Sequence, residues 1–341
     1  MADNQDTTGP VLVADDVDDQ NDPTLTEDAA SSTASVSTSI YNYRRENGRT
    51  YHAYKDGKYA LPNDEQESDR LDLQHNLFVI TFDNKLGFAP PNDAGSDVKN
   101  VLDIGTGTGI WATDFGDEHP GAKVIGVDLS PIQSSFVPPN VTFQIDDIEE
   151  EWTFSHKFDY IHSRFMNSSI ANWRELFKRC LENLEPGGFF EIQEADLSVV
   201  SDDDSIPKDS ALSRAFDLLL EASVKFGRAF QSVPELAEIM KEVGFVDVTI
   251  ERLKWPMNPW PKDKKHKEIG AWCYENFSSG LSAITMAPLT RAHGWTSEEV
   301  ELFLIDVRKD MANRSIHAYW PIYSLYGKKP LADTTAAVVD A

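Results

Sequence analysis

Three glycines alternate behind an apolar run in Val101-Leu102-Asp103-Ile104-Gly105-Thr106-Gly107-Thr108-Gly109-Ile110-Trp111. Glycine lets a backbone turn sharply and approach a ligand with no Cβ in the way. A strand, a glycine-rich turn and a helix N-terminus together make a cradle for a nucleotide. The spacing is G-x-G-x-G, and no lysine follows it. It matches neither the dinucleotide fingerprint nor the phosphate-binding P-loop. Asp103 lies two positions before the first glycine, where a carboxylate repels a pyrophosphate and suits a cationic amino group. The ligand that fits is S-adenosylmethionine, which carries an ammonium and a sulfonium but no phosphate.

More acids follow at successive strand ends. Lys123-Val124-Ile125-Gly126-Val127-Asp128-Leu129 reads as a buried strand ending in an acid. Asp128 lies about 20 residues past the loop, where a second-strand acid meets ribose hydroxyls. Val141-Thr142-Phe143-Gln144-Ile145 leads into Asp146-Asp147-Ile148. An acid there can accept from an adenine amino group, with Ile148 and Trp152 over the ring faces. His162 and Arg164 follow a further strand at the same edge. His162 could act as a general base, or its ring could pack beside the cofactor. Arg164 could hold a cofactor carboxylate or anchor an upstream cap through an acid. Glu191 and Glu194 differ by an odd number of residues on one strand, so only one can face the site. Glu194 is nearer the carboxyl edge. Trp255 and Trp260, flanked by prolines, could line an aromatic pocket or pack in a loop. A rival reading of the same cradle is an NAD-dependent oxidoreductase.

Alternating elements must position these groups. The pattern predicts strands at 100–104, 122–128, 141–145, 158–162 and 188–196, and helices at 109–118 and 172–184. That alternation predicts a parallel sheet with helices on both faces. Upstream, Asn63-Asp64-Glu65 starts a helix with acids in its first turn, and Leu71, Leu73, Leu77, Phe78 and Ile80 give it an apolar side. Downstream come helices at 210–227 and 234–243, the second stopped by Gly244, then a strand from Phe245 to Leu253. Trp255-Pro256-Met257-Asn258-Pro259-Trp260-Pro261 cannot continue a central strand, because proline lacks the donor. Helices at 264–287 and 297–313 precede a last strand within Ser315–Tyr326.

Composition bounds the possible partners. The 341 residues carry a net charge of −26, and residues 1–40 hold nine acids and no Lys or Arg. That Ser/Thr-rich acidic tail is expected to be disordered. The remainder is also acidic, which disfavours nucleic acid as a direct substrate. Two distant cysteines, Cys180 and Cys273, suggest neither a disulfide framework nor a zinc site, and no metal is expected. Cys180 falls on the apolar face of its helix. No apolar run approaches membrane-spanning length, so the cytoplasm, the nucleus or both are expected.

On these motifs the chain resembles the class I S-adenosylmethionine-dependent methyltransferases, and more narrowly the fungal LaeA-type group. The resemblance spans roughly residues 41 to 330. It is carried by Glu46-Asn47-Gly48-Arg49-Thr50-Tyr51-His52, Tyr59-Ala60-Leu61-Pro62-Asn63-Asp64-Glu65, Asp69-Arg70-Leu71-Asp72-Leu73-Gln74-His75, Phe158-Asp159-Tyr160-Ile161-His162-Ser163-Arg164 and Ala318-Tyr319-Trp320-Pro321. It implies a Rossmann-like α/β fold with a seven-stranded, mostly parallel sheet whose last strand is antiparallel. It also implies an N-terminal helical cap over 41–95, a methyltransferase domain over 96–330 with a helical insertion at about 255–314, and a tail over 331–341. Tyr43, Arg49, Tyr51, His52 and Tyr54, which composition alone reads as a surface loop, become part of the cap. Arg49 and Tyr51 are its expected contacts. The expected cofactor shell is Asp103, Gly105, Thr106, Gly107, Gly109, Asp128, Leu129, Asp146, Asp147, Ile148, Ser163, Arg164, Arg49 and Tyr51. Two roles fit the family: methylation of a small molecule in fungal secondary metabolism, or a regulatory subunit bound to a velvet-type protein.

Overall fold

The computed structural model describes residues 40–331. The acidic tail, except Ile40, and the C-terminal tail after Leu331 lie outside the described residues. Asn47 and Gly48 both take positive φ, 49° and 77°. Asn-Gly is the pair that a two-residue hairpin turn demands. It folds β1 (Arg44–Glu46) onto β2 (Arg49–Tyr51), with Glu46 opposite Arg49. The stretch that composition reads as a loop is therefore a small hairpin.

The first helix, α1 (Glu65–Thr81), starts where Asp64 accepts the Glu67 N–H at 3.1 Å. Glu65 and Glu67 in its first turn complement the helix dipole. Its inward face differs from the expected apolar side. Leu77 and Phe78 are buried, but Leu71, Leu73 and Ile80 are only half-buried. Glu67, Arg70, Gln74 and His75 take the other buried positions. Polar groups are tolerated there because partners satisfy them. Arg70 donates to Glu67 at 2.7 and 3.0 Å and to Asn276 at 2.9 Å.

The central sheet contains β3 (Asn100–Ile104), β4 (Lys123–Asp128), β5 (Val141–Ile145), β6 (Phe158–Arg164), β7 (Leu184–Ala195), β8 (Val246–Pro256) and β9 (Tyr319–Lys328). Its order is β5-β4-β3-β6-β7-β9-β8. Strands β3 to β7 pair in parallel, and β9 runs antiparallel to both neighbours. This is the seven-stranded Rossmann-like arrangement with an antiparallel last strand. The chain direction across the sheet reverses at β3, which opens a crevice beyond the carboxyl ends.

Alternate residues of β3 feed opposite cores. Val101 joins Trp111 and Phe115 of α2 (Ile110–Glu118), together with Leu86 and Tyr160. Leu102 and Ile104 join Leu176, Phe177 and Cys180 of α3 (Trp173–Asn183) and Met240 of α5 (Val233–Val243). Gly244, at φ 117°, ends α5 as its spacing predicts. A third core joins α1 to α4 (Ala211–Lys225), α6 (Lys264–Ala287) and α7 (Ser297–Ala312) through Phe78, Phe216, Trp255, Phe277, Leu304 and Trp320. Strand β8 runs three residues past the expected Leu253, through Pro256. It can do so because it lies at the sheet edge, where a missing donor faces no neighbour. None of the described helices is long and apolar enough to cross a membrane.

Glu191 braces the sheet from inside. Its buried carboxylate accepts the Phe88 and Ala89 N–H groups at 2.9 Å each, the Tyr160 hydroxyl at 2.9 Å and the Ser324 hydroxyl at 2.7 Å. Glu191→Ala strands four buried donors, so urea unfolding should show a loss of about 3 kcal/mol or more. A loss under about 1 kcal/mol would contradict this bracing role.

Candidate functional site

A cavity of about 250 Å³ occupies the crevice beyond the carboxyl ends of β3, β4, β6 and β7. The glycine loop forms one wall. Gly105, Gly107 and Gly109 all have φ in the left-handed region, at 67°, 58° and 82°. A Cβ on Gly105 would collide with Met166 Sδ, and one on Gly109 with the Phe143 ring. The Gly105 and Thr106 N–H groups donate to the Val127 carbonyl at 2.9 and 3.0 Å, which ties the turn to β4.

Asp103 and His162 sit opposite each other on paired strands. One Asp103 oxygen accepts the Thr106 hydroxyl at 2.6 Å, and the other meets His162 Nδ1 at 2.7 Å. Asp103 thus lines the cavity without presenting the unengaged carboxylate that its spacing suggests. The His162 ring stacks on Trp111, with centroids 3.6 Å apart and planes 7° from parallel. It is wholly buried, lines the cavity and has no protein partner on Nε2.

Asp128 also lines the cavity. It accepts the Gly107 N–H at 2.9 Å and the Ser130 N–H at 3.0 Å. Burial raises its pKa to about 6, against the opposing pull of those backbone donors. Thr106, Leu129, Asp146, Asp147 and Ile148 line the same space. Asp147 binds the Lys58 ammonium, and Glu150 binds that of Lys55, so the segment after the hairpin is strapped to the end of β5. Trp152 lies outside the main cavity. It donates to the Ile148 carbonyl at 2.9 Å and packs on Phe154.

Arg164 lines the cavity as well, and burial lowers its pKa to about 10. It lies over the Phe78 ring at 4.9 Å and donates to His75 Nδ1 at 3.0 Å. His75 must then carry its proton on Nε2, which faces Asp114 at 2.8 Å. The anchor to the cap is thus an imidazole rather than an acid. Burial lowers the His75 pKa, in keeping with this neutral ring.

Several expected contacts lie elsewhere. Ser163 is wholly buried but points away from the cavity, because strand alternation gives His162 and Arg164 the other face. Gly109 lies outside the lining and caps α2. Arg49 forks onto Asp64, with Nη2 to Oδ1 at 2.7 Å, and so locks the hairpin to α1. Tyr51 is buried beneath the Arg291 guanidinium, 4.7 Å from its ring centroid. Neither residue reaches the cavity; among cap residues Lys58, Tyr59, Asn63, Arg70, Leu71 and Gln74 do. Trp255 is a core residue that donates to the Thr81 hydroxyl at 2.7 Å, and Trp260 donates to the Ala318 carbonyl at 3.1 Å.

At the far end the lining turns apolar, with Phe165, Phe216, Leu219, Phe277, Ile284 and Trp320. Glu194 also lines the cavity, and its carboxyl accepts the Met166 N–H at 2.6 Å. Burial raises its pKa to about 8, against hydrogen bonds from Met166 and Asn167. In the unfolded chain it titrates near its ordinary value of 4.5. Its contribution to stability is therefore complete below about pH 4.5 and is lost as the pH rises through about 8. Urea unfolding across pH 5 to 9 should show Glu194→Gln gaining on the wild type as the pH rises; parallel curves would contradict this.

A methyltransferase domain model matches residues 73–250. The methyltransferase pytC of Aspergillus terreus is 41% identical over 313 residues, covering 92% of this chain and 95% of its own. The secondary metabolism regulator LAE1 of Cochliobolus heterostrophus is 36% identical over 289 residues, covering 84% and 94%. The protein-methionine methyltransferase laeA of Emericella nidulans is 34% identical over 293 residues, covering 85% of this chain and 77% of its own. With its glycine loop, its strand-end acids and these similarities, the chain belongs to the methyltransferase domain family, within the fungal LaeA-type group.

Proposed function

We propose that this chain is an S-adenosylmethionine-dependent methyltransferase that acts on a small molecule of fungal secondary metabolism. The observation that carries the reading is the cavity itself. A left-handed glycine turn with no lysine, and acids on three successive strand ends, meet an apolar chamber across one continuous space. The residues present fit the cofactor. Bare backbone at Gly107, where a Cβ would meet only Leu71 at 3.5 Å, leaves room for a close approach. Asp128 would accept from a ribose diol, Asp146 or Asp147 from an adenine amino group, and Ile148 would cover the ring. His162 Nε2 and the Arg164 guanidinium are the polar groups left for the amino-acid end. When bound, S-adenosylmethionine supplies a methyl group on a sulfonium, open to in-line attack. The protein orients the two reactants and excludes water. Asp103 and Trp111 fix the His162 ring, which favours a packing role for it over that of general base.

A second reading is a LaeA-like regulatory subunit, and the name of the relative LAE1, a secondary metabolism regulator, favours it. The velvet-type partner belongs to that reading. A stable protein partner co-purifying from native extract would favour regulation; a monomer yielding a methylated metabolite would favour tailoring. The acidic charge supports neither nucleic acid nor a pyrophosphate cofactor as ligand.

Calorimetric titration of the full chain tests the site. S-adenosylhomocysteine should bind, and NAD should give no heat. Asp128→Ala should weaken S-adenosylhomocysteine about tenfold or more, the value of a charge-assisted hydrogen bond, and Asp103→Ala should weaken it as well by releasing the His162 ring and the Thr106 turn. Unchanged affinity in both variants, or binding of NAD, would sink the reading.

A further inference from the structure

The apolar end of the cavity is built by elements far apart in sequence. Phe165 follows β6, Phe216 and Leu219 come from α4, Phe277 and Ile284 from α6, and Trp320 from β9. The side chains that α4 and α6 contribute to this wall carry no titratable group. Glu194, which is 1% exposed and the penultimate residue of β7, lines the same cavity. Backbone groups of Met166 and Asn167 hold its carboxyl in place. The carboxyl has no side-chain partner among the described residues.

We propose that Glu194 binds the methyl acceptor through a hydroxyl proton and takes that proton during transfer, the acceptor being a phenol or enol on an apolar ring system. The inference rests on the methyltransferase reading above. In the step, the acceptor oxygen uses its electron pair to form the new O–CH3 bond. The methyl–sulfur bonding pair stays on sulfur, which becomes a neutral thioether. The O–H proton passes to the Glu194 carboxylate, so charge and atoms balance.

The surroundings decide the class of acceptor. Flat aromatic walls suit a planar ring. The charged and titratable groups that line the cavity with Glu194 are Lys58 and Tyr59 of the cap, Arg70 of α1, Asp103, Asp128, Asp146, Asp147, Glu149, His162, Arg164 and Asp196, and Tyr323 lies opposite it in the sheet. Glu67 is already paired with Arg70, and Asp196 holds the Val233 N–H at 3.3 Å. Burial raises the Tyr59 phenol, which stays neutral. Acids outnumber Lys58, Arg70 and Arg164 in this lining, so the flat aromatic walls rather than charge select the acceptor. A carboxyl that loses its proton near pH 8 in this setting is matched to a hydroxyl that ionises a little higher.

The test uses the full chain with S-adenosylhomocysteine present and three probes: 2-naphthol, 2-methoxynaphthalene and 2-naphthylmethylamine. Calorimetry should show 2-naphthol binding about tenfold tighter than its methyl ether, and tighter than the ammonium probe. Glu194→Gln keeps an oxygen for the Met166 N–H, so S-adenosylhomocysteine affinity should be unchanged while the preference for the free hydroxyl disappears. With S-adenosylmethionine, methylation of 2-naphthol by the wild type should rise through about pH 8. In Glu194→Gln the rate should fall about 100-fold, and its rise should move to the ionisation of the naphthol itself. Equal binding of naphthol and its ether, a preference for the ammonium probe, or an unshifted pH profile in the variant overturns the role of Glu194. If S-adenosylhomocysteine binding is intact at that point, the methyltransferase reading survives; if the wild type binds none, both fall.

Discussion

A carboxylate buried under a glycine turn must find donors, and Asp103 finds them in Thr106 and His162. Burying a charge without partners costs far more than a lost hydrogen bond, so the rest of the crevice is arranged around this need. The Thr106 hydroxyl draws the loop back onto β3. The His162 ring bridges to β6 and lies flat on Trp111 of the helix that follows the loop. One acid therefore fixes the strand, the turn, the helix and the neighbouring strand relative to one another. The same arrangement leaves the far edge of the imidazole facing the cavity, unpaired among protein groups.

Much of this was legible from local pattern. Alternating strands and helices gave the parallel sheet. Asp64 and Gly244 marked helix ends because capping is a short-range affair. Period-two geometry separated Glu191 from Glu194, and the same rule would have removed Ser163 from the cofactor shell. The Asn47-Gly48 pair was also a local signal, and it accounts for the hairpin. What the pattern could not carry were contacts chosen by tertiary packing. Arg49 and Tyr51 have the chemistry of ligand contacts, but Asp64 and Arg291 claim them first. Trp255, flanked by prolines, reads equally as a pocket wall or as loop packing; edge placement of β8 let the strand continue and took the indole inward.

The apolar chamber was the least legible part. Its walls come from Phe165 through Trp320, and no window of residues shows that they converge. The buried face of α1 poses the same difficulty. Read alone, Glu67, Arg70 and Gln74 belong outside; they are inside because Asn276 and the cavity itself supply partners and space.

The clasp between Glu46 and Arg291 joins residues 245 positions apart, and Arg70 reaches Asn276 across 206. Hairpin and insertion are therefore fastened to each other as well as to the sheet. A fragment that kept α1 and the sheet but lost the insertion would expose Phe78 and Trp320 to water and leave Arg70 without its amide. The roof over the cavity is shared by segments far apart in sequence, and it exists only once the chain has been made past Arg291.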